Sequence, residues 1–385
     1  MRRTTLLTVF LGIACAFGGA PVLADAEASA LEAALAERVA QAAAEGFSGS
    51  VLVAEGTRVR YEAAVGLADP ASGVPVRADT RFNLASTGKL FTIVAILQLV
   101  QAGALDLDAP VGRYLRDWPV ASVRERVTIR QLLMHTSGLG AYWGLAFDAL
   151  RPRLQVLSDY RPLLLDEPEF EPGSAWRYSN SGYLLLGLVV EAVSGEDFYA
   201  YITRHVFAPA RMDASGYFAL DGLADRAARP HAGGTGPDRR RLLPMPEPRG
   251  GAAGGGYSTP RDLLRFQRAL ASGVLLAPRS LDLLFAPVAP PEGTRAPQGL
   301  GILRYAAGGD LVWGHPGGAP GVGVEFWATR ESGWVVVVMA NADQPRSTPL
   351  VRDLFERITA HGGPDMRPPR RGPPRSADRA SAPRG

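Results

Sequence analysis

The chain has 385 residues, of which 46% are hydrophobic and 21% charged, and its formal net charge is +3. It is long enough to bury a large core and to divide into more than one lobe, and too close to neutral to suggest a nucleic-acid partner. Its only cysteine, Cys15, lies in an N-terminal apolar stretch, which excludes a disulfide framework and a cysteine nucleophile from the mature protein.

Arg2 and Arg3 precede the apolar run Leu6 to Phe17, and small residues then lead to Val22-Leu23-Ala24. Residues 1–24 read as a secretory signal peptide, cut after Ala24 or Ala26. The apolar run is too short to span a bilayer, and no later stretch supplies about 20 uninterrupted apolar residues. The expected product is periplasmic or secreted, with no integral membrane segment. Gly12-Ile13-Ala14-Cys15 offers lipid attachment at Cys15 as the alternative.

A single domain is expected over 27–362. Ala26 to Ala44 is an alanine-rich helix. Gly49 to Gly66 alternates apolar and polar residues around Glu55-Gly56-Thr57, the pattern of strand, turn and strand. Ser86 opens a helix whose apolar run, Leu90 to Val100, stops at Gly103. Helical patterns follow at Thr128 to Met134, Tyr183 to Ser194 and Phe198 to Val206. The expected architecture is α+β: an antiparallel sheet flanked by helices, formed by about 27–84 and 245–362, with a mostly helical lobe, about 85–244, inserted into it.

The glycine-rich Gly250 to Gly256 is followed by Thr259 as a helix cap, Pro260 at the first helical position and Asp262 in the first turn, so the cluster reads as structural. Val322 to Thr329 and Trp334 to Ala340 form a hairpin around Arg330-Glu331-Ser332-Gly333, and Leu350 to Ala360 is a last amphipathic helix. Residues 363–385, rich in Arg and Pro, have almost nothing to bury and read as a disordered basic tail.

Lys89 is the only lysine among the 41 basic residues. It stands in Ser86-Thr87-Gly88-Lys89, one helical turn from a serine. Lysine differs from arginine in being able to release its proton when desolvated, so the pair reads as a nucleophile with its base. A Walker phosphate loop is excluded, because Asn83 and Leu90 occupy positions that motif reserves for Gly and for Ser or Thr. The start of a helix also offers backbone N–H groups to negative charge, and the Ser86 N–H suits one half of an oxyanion hole.

In Tyr178-Ser179-Asn180, extended geometry would turn Tyr178 and Asn180 toward one cleft, where a phenol can exchange a proton and an amide can hold a carbonyl. In Gly314-His315-Pro316-Gly317-Gly318, Pro316 restricts the segment to a sheet edge or a strand start. Gly317 and Gly318 let a substrate approach the backbone, and the Gly318 N–H can complete the oxyanion hole.

Together the motifs resemble, in order and spacing, those of the serine β-lactamases and penicillin-binding proteins. The Tyr-x-Asn form resembles the branch containing class C β-lactamases, D-alanyl-D-alanine carboxypeptidases and related esterases. Arg130-Gln131-Leu132-Leu133-Met134-His135-Thr136-Ser137-Gly138-Leu139 and Pro172-Gly173-Ser174-Ala175-Trp176 are similar to its connecting segments, and the likeness runs from about residue 40 to 360. It implies the β-lactamase/transpeptidase-like fold. It also implies acyl transfer through Ser86, with Lys89 and Tyr178 as proton-transfer partners, His315 as the third-motif residue, and Asn180, Gly317 and Gly318 as substrate contacts.

The third motif reads His-Pro-Gly where β-lactamases of that branch have Lys-Thr-Gly, and so lacks the cation and the hydroxyl that hold a substrate carboxylate. The expectation is therefore an exported serine hydrolase acting on a small ester, amide or peptide. The alternatives are a β-lactamase or D-alanyl-D-alanine carboxypeptidase, and a penicillin- or peptide-binding sensor without turnover. No metal or cofactor is expected, since no His-Glu-x-x-His or Cys-rich spacing occurs, and no Gly-x-Ser-x-Gly elbow suggests an α/β-hydrolase. Glu167, Glu169 and Glu171 read as a solvated acidic loop and His135 as a structural histidine. Nothing in the pattern fixes an oligomeric state.

Overall fold

The computed structural model describes residues 20–218, 227–244, 249–289, 291 and 299–368, with side chains from residue 29 onward. Cys15, most of the expected signal peptide and the tail from 369 onward lie outside the described residues. The first helix, α1, spans Ala20–Ala44, so both expected cleavage positions fall within its first two turns.

Six strands build the main sheet: β1 (Gly49–Glu55), β2 (Arg58–Val65), β3 (Leu303–Ala307), β4 (Asp310–Ala319), β5 (Val322–Thr329) and β6 (Trp334–Ala340). They lie in the order β2-β1-β6-β5-β4-β3, antiparallel throughout. The first and last parts of the chain meet where β1 pairs with β6, Val53 opposite Val336. β6, Trp-Val-Val-Val-Val-Met-Ala, is buried along its whole length, as a central strand covered on both faces must be.

Period-2 alternation divides these strands between two cores. Leu52, Val324, Phe326, Val335 and Val337 pack with α2 (Lys89–Gln101), α3 (Asn180–Ser194) and α4 (Pro260–Ala271). Val51, Val53, Val336 and Val338 pack with Leu31, Leu35 and Val39 of α1 and with Leu354, Phe355 and Ile358 of α5 (Ser347–Ala360). Between α2 and residue 218 the chain is chiefly helices and loops. Their caps are chemically explicit: Thr128 and Gln131 form a capping box for the helix Ile129–Leu133, and Phe198–Ile202 continues into a wider π turn, Thr203–Phe207.

Two local expectations are corrected. α3 begins at Asn180, not Tyr183, because the Ser179 side chain caps it by accepting from the Gly182 N–H at 2.8 Å. β4 is not an edge strand overall, since β5 pairs along one side and β3 along the other. β3 ends opposite Gly314, however, and leaves the segment from His315 onward unpaired on that side. Pro316, which has no N–H to offer, falls in that free half.

Candidate active site

Ser86 lies in a tight 3₁₀ turn, Ala85–Gly88, that leads into α2. Ala85 has φ +41°, a left-handed conformation uncommon for a residue with a Cβ, and the Asn83 side-chain oxygen holds its N–H at 2.8 Å. The Gly250–Gly256 segment, read above as purely structural, moulds this turn. Gly255 N–H donates to the Ala85 carbonyl at 2.8 Å and Leu84 N–H to that of Gly256 at 3.0 Å. A Cβ at Gly88 would come within 2.8 Å of the Gly255 carbonyl oxygen.

From the other side, Thr87 Oγ1 donates to the His315 carbonyl at 3.1 Å, which ties the turn to β4. A Cβ on Gly317 would overlap the Leu84 carbonyl and lie 2.8 Å from Thr87 Oγ1. Gly317 is thus required first for packing the strand against the turn. Gly318, where the nearest atom to an added Cβ is 4.0 Å away, faces open space.

Lys89 is fully buried. Its Nζ donates to Asn180 Oδ1 at 2.7 Å and to the Ala253 carbonyl, and stands 3.4 Å from Ser86 Oγ. It also lies 4.9 Å from the centre of the Tyr178 ring and 5.2 Å from that of Tyr183. The first two motifs thus meet at this amine.

Burial pushes the Tyr178 phenol up to about 12, an effect partly offset by Ser86. The hydroxyl is buried and no hydrogen bond of full geometry fixes it. His315 Nδ1 lies 2.7 Å from the Pro316 carbonyl. Burial above all brings its pKa down to about 4, so the imidazole is neutral around pH 7. The third motif therefore supplies no cation.

These residues open onto a cleft of about 890 Å³. Ser86, Tyr178, Asn180, His315, Gly317 and Gly318 all line it. Trp143, Trp176, Glu325, Asp343, Arg346 and Thr348 line it as well. Of these only Trp176 belongs to a segment quoted from the sequence, and there for its likeness and not as a site residue. Trp143, 54% exposed, stands on a loop, and Arg346 immediately precedes α5, so only the fold brings them to the cleft. The Gly250–Gly256 cluster was visible, but its service to Ser86 and Lys89 was not.

The acidic loop behaves as a surface feature: Glu169 pairs with Arg177, Glu171 with Arg126, and Glu167 accepts from Ser122. Among the described residues no group of three or more His, Cys, Asp or Glu is placed to hold a metal ion. No helix among them is long and apolar enough to cross a membrane.

The chain is 31% identical over 291 residues to a penicillin-binding protein of Bacillus subtilis (strain 168), covering 71% of this chain and 64% of that one. It is 39% identical over 220 residues to the esterase EstB of Burkholderia gladioli, covering 52% and 55%. The alignments thus span less than two thirds of these two relatives. A solved penicillin-binding protein from Bacillus halodurans superposes with a TM-score of 0.72 at 32% identity, covering 86% of this chain and 98% of that one. The fold is accordingly β-lactamase/transpeptidase-like, and with the Beta-lactamase family model matching residues 31–360, the chain belongs to the Beta-lactamase family.

Proposed function

We propose that the protein is an exported serine hydrolase that cleaves an ester or amide through an acyl-Ser86 intermediate. The observation that carries this reading is the enclosed Lys89 amine, 3.4 Å from Ser86 Oγ and 2.7 Å from Asn180 Oδ1. A neutral amine has two N–H groups, and the Asn180 and Ala253 oxygens can take both. Its lone pair is then left for the Ser86 hydroxyl proton. Tyr178, with its phenol at about 12, keeps its proton near pH 7 and is suited to giving it to the leaving group.

In this reading Ser86 Oγ attacks the substrate carbonyl as Lys89 takes the hydroxyl proton. The N–H groups of Ser86 and Gly318 receive the oxyanion, and Asn180 contacts the substrate. Collapse expels the alcohol or amine, protonated through Tyr178. Lys89 then passes the proton it took from Ser86 to Tyr178; water attacks the acyl-enzyme as the neutral Lys89 takes one of its protons, and collapse breaks the acyl–Oγ bond as Lys89 returns that proton to Ser86 and the carboxylic acid leaves. His315, neutral and bonded to its own strand, shapes the cleft without offering charge.

A neutral third motif favours substrates without a carboxylate beside the scissile bond, in line with the relative named as an esterase. The second reading, a β-lactamase or D-alanyl-D-alanine carboxypeptidase, draws support from Arg346, which lines the cleft and offers a cation to a carboxylate. Purified protein assayed on p-nitrophenyl esters, nitrocefin and D-alanyl-D-alanine peptides separates the two. The expected result is faster turnover of esters, abolished by Ser86→Ala. Preferred hydrolysis of nitrocefin or the peptides supports the second reading, and stoichiometric labelling without turnover supports a sensor.

A further inference from the structure

His135 takes no part in these proton transfers, yet its contacts run to the segment that carries Tyr178 and Asn180. Its Nδ1 accepts the Ser179 N–H at 3.0 Å. Its carbonyl accepts the Arg177 N–H at 2.9 Å, and that of Thr136 accepts the Gly173 N–H at 2.7 Å. The imidazole lies 4.4 Å from the Tyr178 ring and 5.0 Å from the Tyr183 ring, centre to centre. These are the same two rings that Lys89 Nζ approaches.

With Nδ1 accepting, the neutral ring carries its proton on Nε2, a buried atom that meets no hydrogen-bond partner among the described residues. The backbone at His135 has φ +60°, a conformation tolerated by His and Asn better than by most residues with a Cβ.

We propose that His135 is the positioning residue of the second motif: by accepting the Ser179 N–H, its neutral imidazole sets the flanking Tyr178 and Asn180 against Ser86 and Lys89. Protonation would replace that acceptor with a donor facing the Ser179 N–H, and would add a cation beside Lys89. Burial, the largest cause, pushes the His135 pKa well below its ordinary value, consistent with the neutral form being held. The inference rests on the catalytic reading above, and part of its test is independent of that reading.

His135→Asn places a carboxamide oxygen near the Nδ1 position and tolerates the left-handed backbone. His135→Gln reaches toward the Nε2 position and leaves the Ser179 N–H without its acceptor. For an ester whose turnover is lost in Ser86→Ala, Asn should keep kcat within about threefold of the parent. Gln should lower kcat about 30-fold or more with KM changed less than about threefold. Equal kcat in both variants, or a loss confined to KM, would overturn the proposal. Nitrogen-15 NMR of the parent imidazole needs neither turnover nor a variant. It should show Nδ1 unprotonated and Nε2 protonated from about pH 6.5, where an ordinary imidazole is half protonated, to about pH 8. Protonation of Nδ1 in that interval would overturn the proposal even in a chain that hydrolysed nothing.

Discussion

At the scale of single residues, the Ser86, Lys89, Tyr178 and His315 motifs were legible because their chemistry is carried by residue type at short spacing. A lone lysine one turn from a serine has few chemical readings. Trp143 and Arg346 were not legible, since neither belongs to a local pattern and the cleft gathers them from distant loops. The structure also changes the choice of variant at Lys89. Charge and length favour Lys89→Arg from the sequence, but Nζ is enclosed by Asn180 and Ala253, and a guanidinium would have to displace them. Lys89→Met fits the space and lacks the amine. It should lower kcat/KM by about 10³-fold or more, measured by initial rates on a p-nitrophenyl ester, while thermal melting shows a folded protein. Arg346→Ala gives a contrasting outcome. It should reduce kcat/KM about fivefold on peptides bearing a free carboxylate and leave neutral esters within about twofold, as expected for one solvated charge pair.

At the scale of elements, the last hairpin was readable because two strand-forming runs, Val322 to Thr329 and the wholly apolar Trp334 to Ala340, flank a four-residue turn, and β5 and β6 have those bounds. The start of α3 was misread because Ser179 looks like loop until its hydroxyl is seen to cap Gly182. The free half of β4 was only partly readable. Pro316 signals an unpaired N–H side, but the length of β3, which decides where pairing stops, is not encoded near Pro316. The last helix was legible from its amphipathic pattern, and its buried face makes it testable. Leu354 is fully buried between α5 and the sheet, so Leu354→Ala should cost about 2–5 kcal/mol of unfolding free energy by denaturant titration. It should leave the kcat of the folded protein nearly unchanged, because it packs on the sheet face opposite Ser86.

At the scale of the whole molecule, two buried neutral histidines couple folding to acid. His315 and His135 both have lowered pKa values, whereas in the unfolded chain each takes a proton near 6.5. Between those limits the unfolded state binds more protons, so stability is full above about pH 7 and is lost as pH falls. For His315 the fall from 6.5 to about 4 is worth about 3 kcal/mol. Denaturant unfolding near pH 7 and near pH 4.5 should show this loss, and His315→Asn should lose less. The same fold holds a buried amine 3.4 Å from a serine that opens, with a phenol, onto the cleft, and the proposed chemistry depends on what that serine does. The direct measurement is rapid mixing with p-nitrophenyl acetate, followed by acid quench and peptide mass spectrometry. One acetyl group on Ser86 is expected, formed with a burst of p-nitrophenol and absent from Ser86→Ala and Lys89→Met. Turnover by Ser86→Ala, or an acetyl group carried on another residue during turnover, would contradict the proposed chemistry.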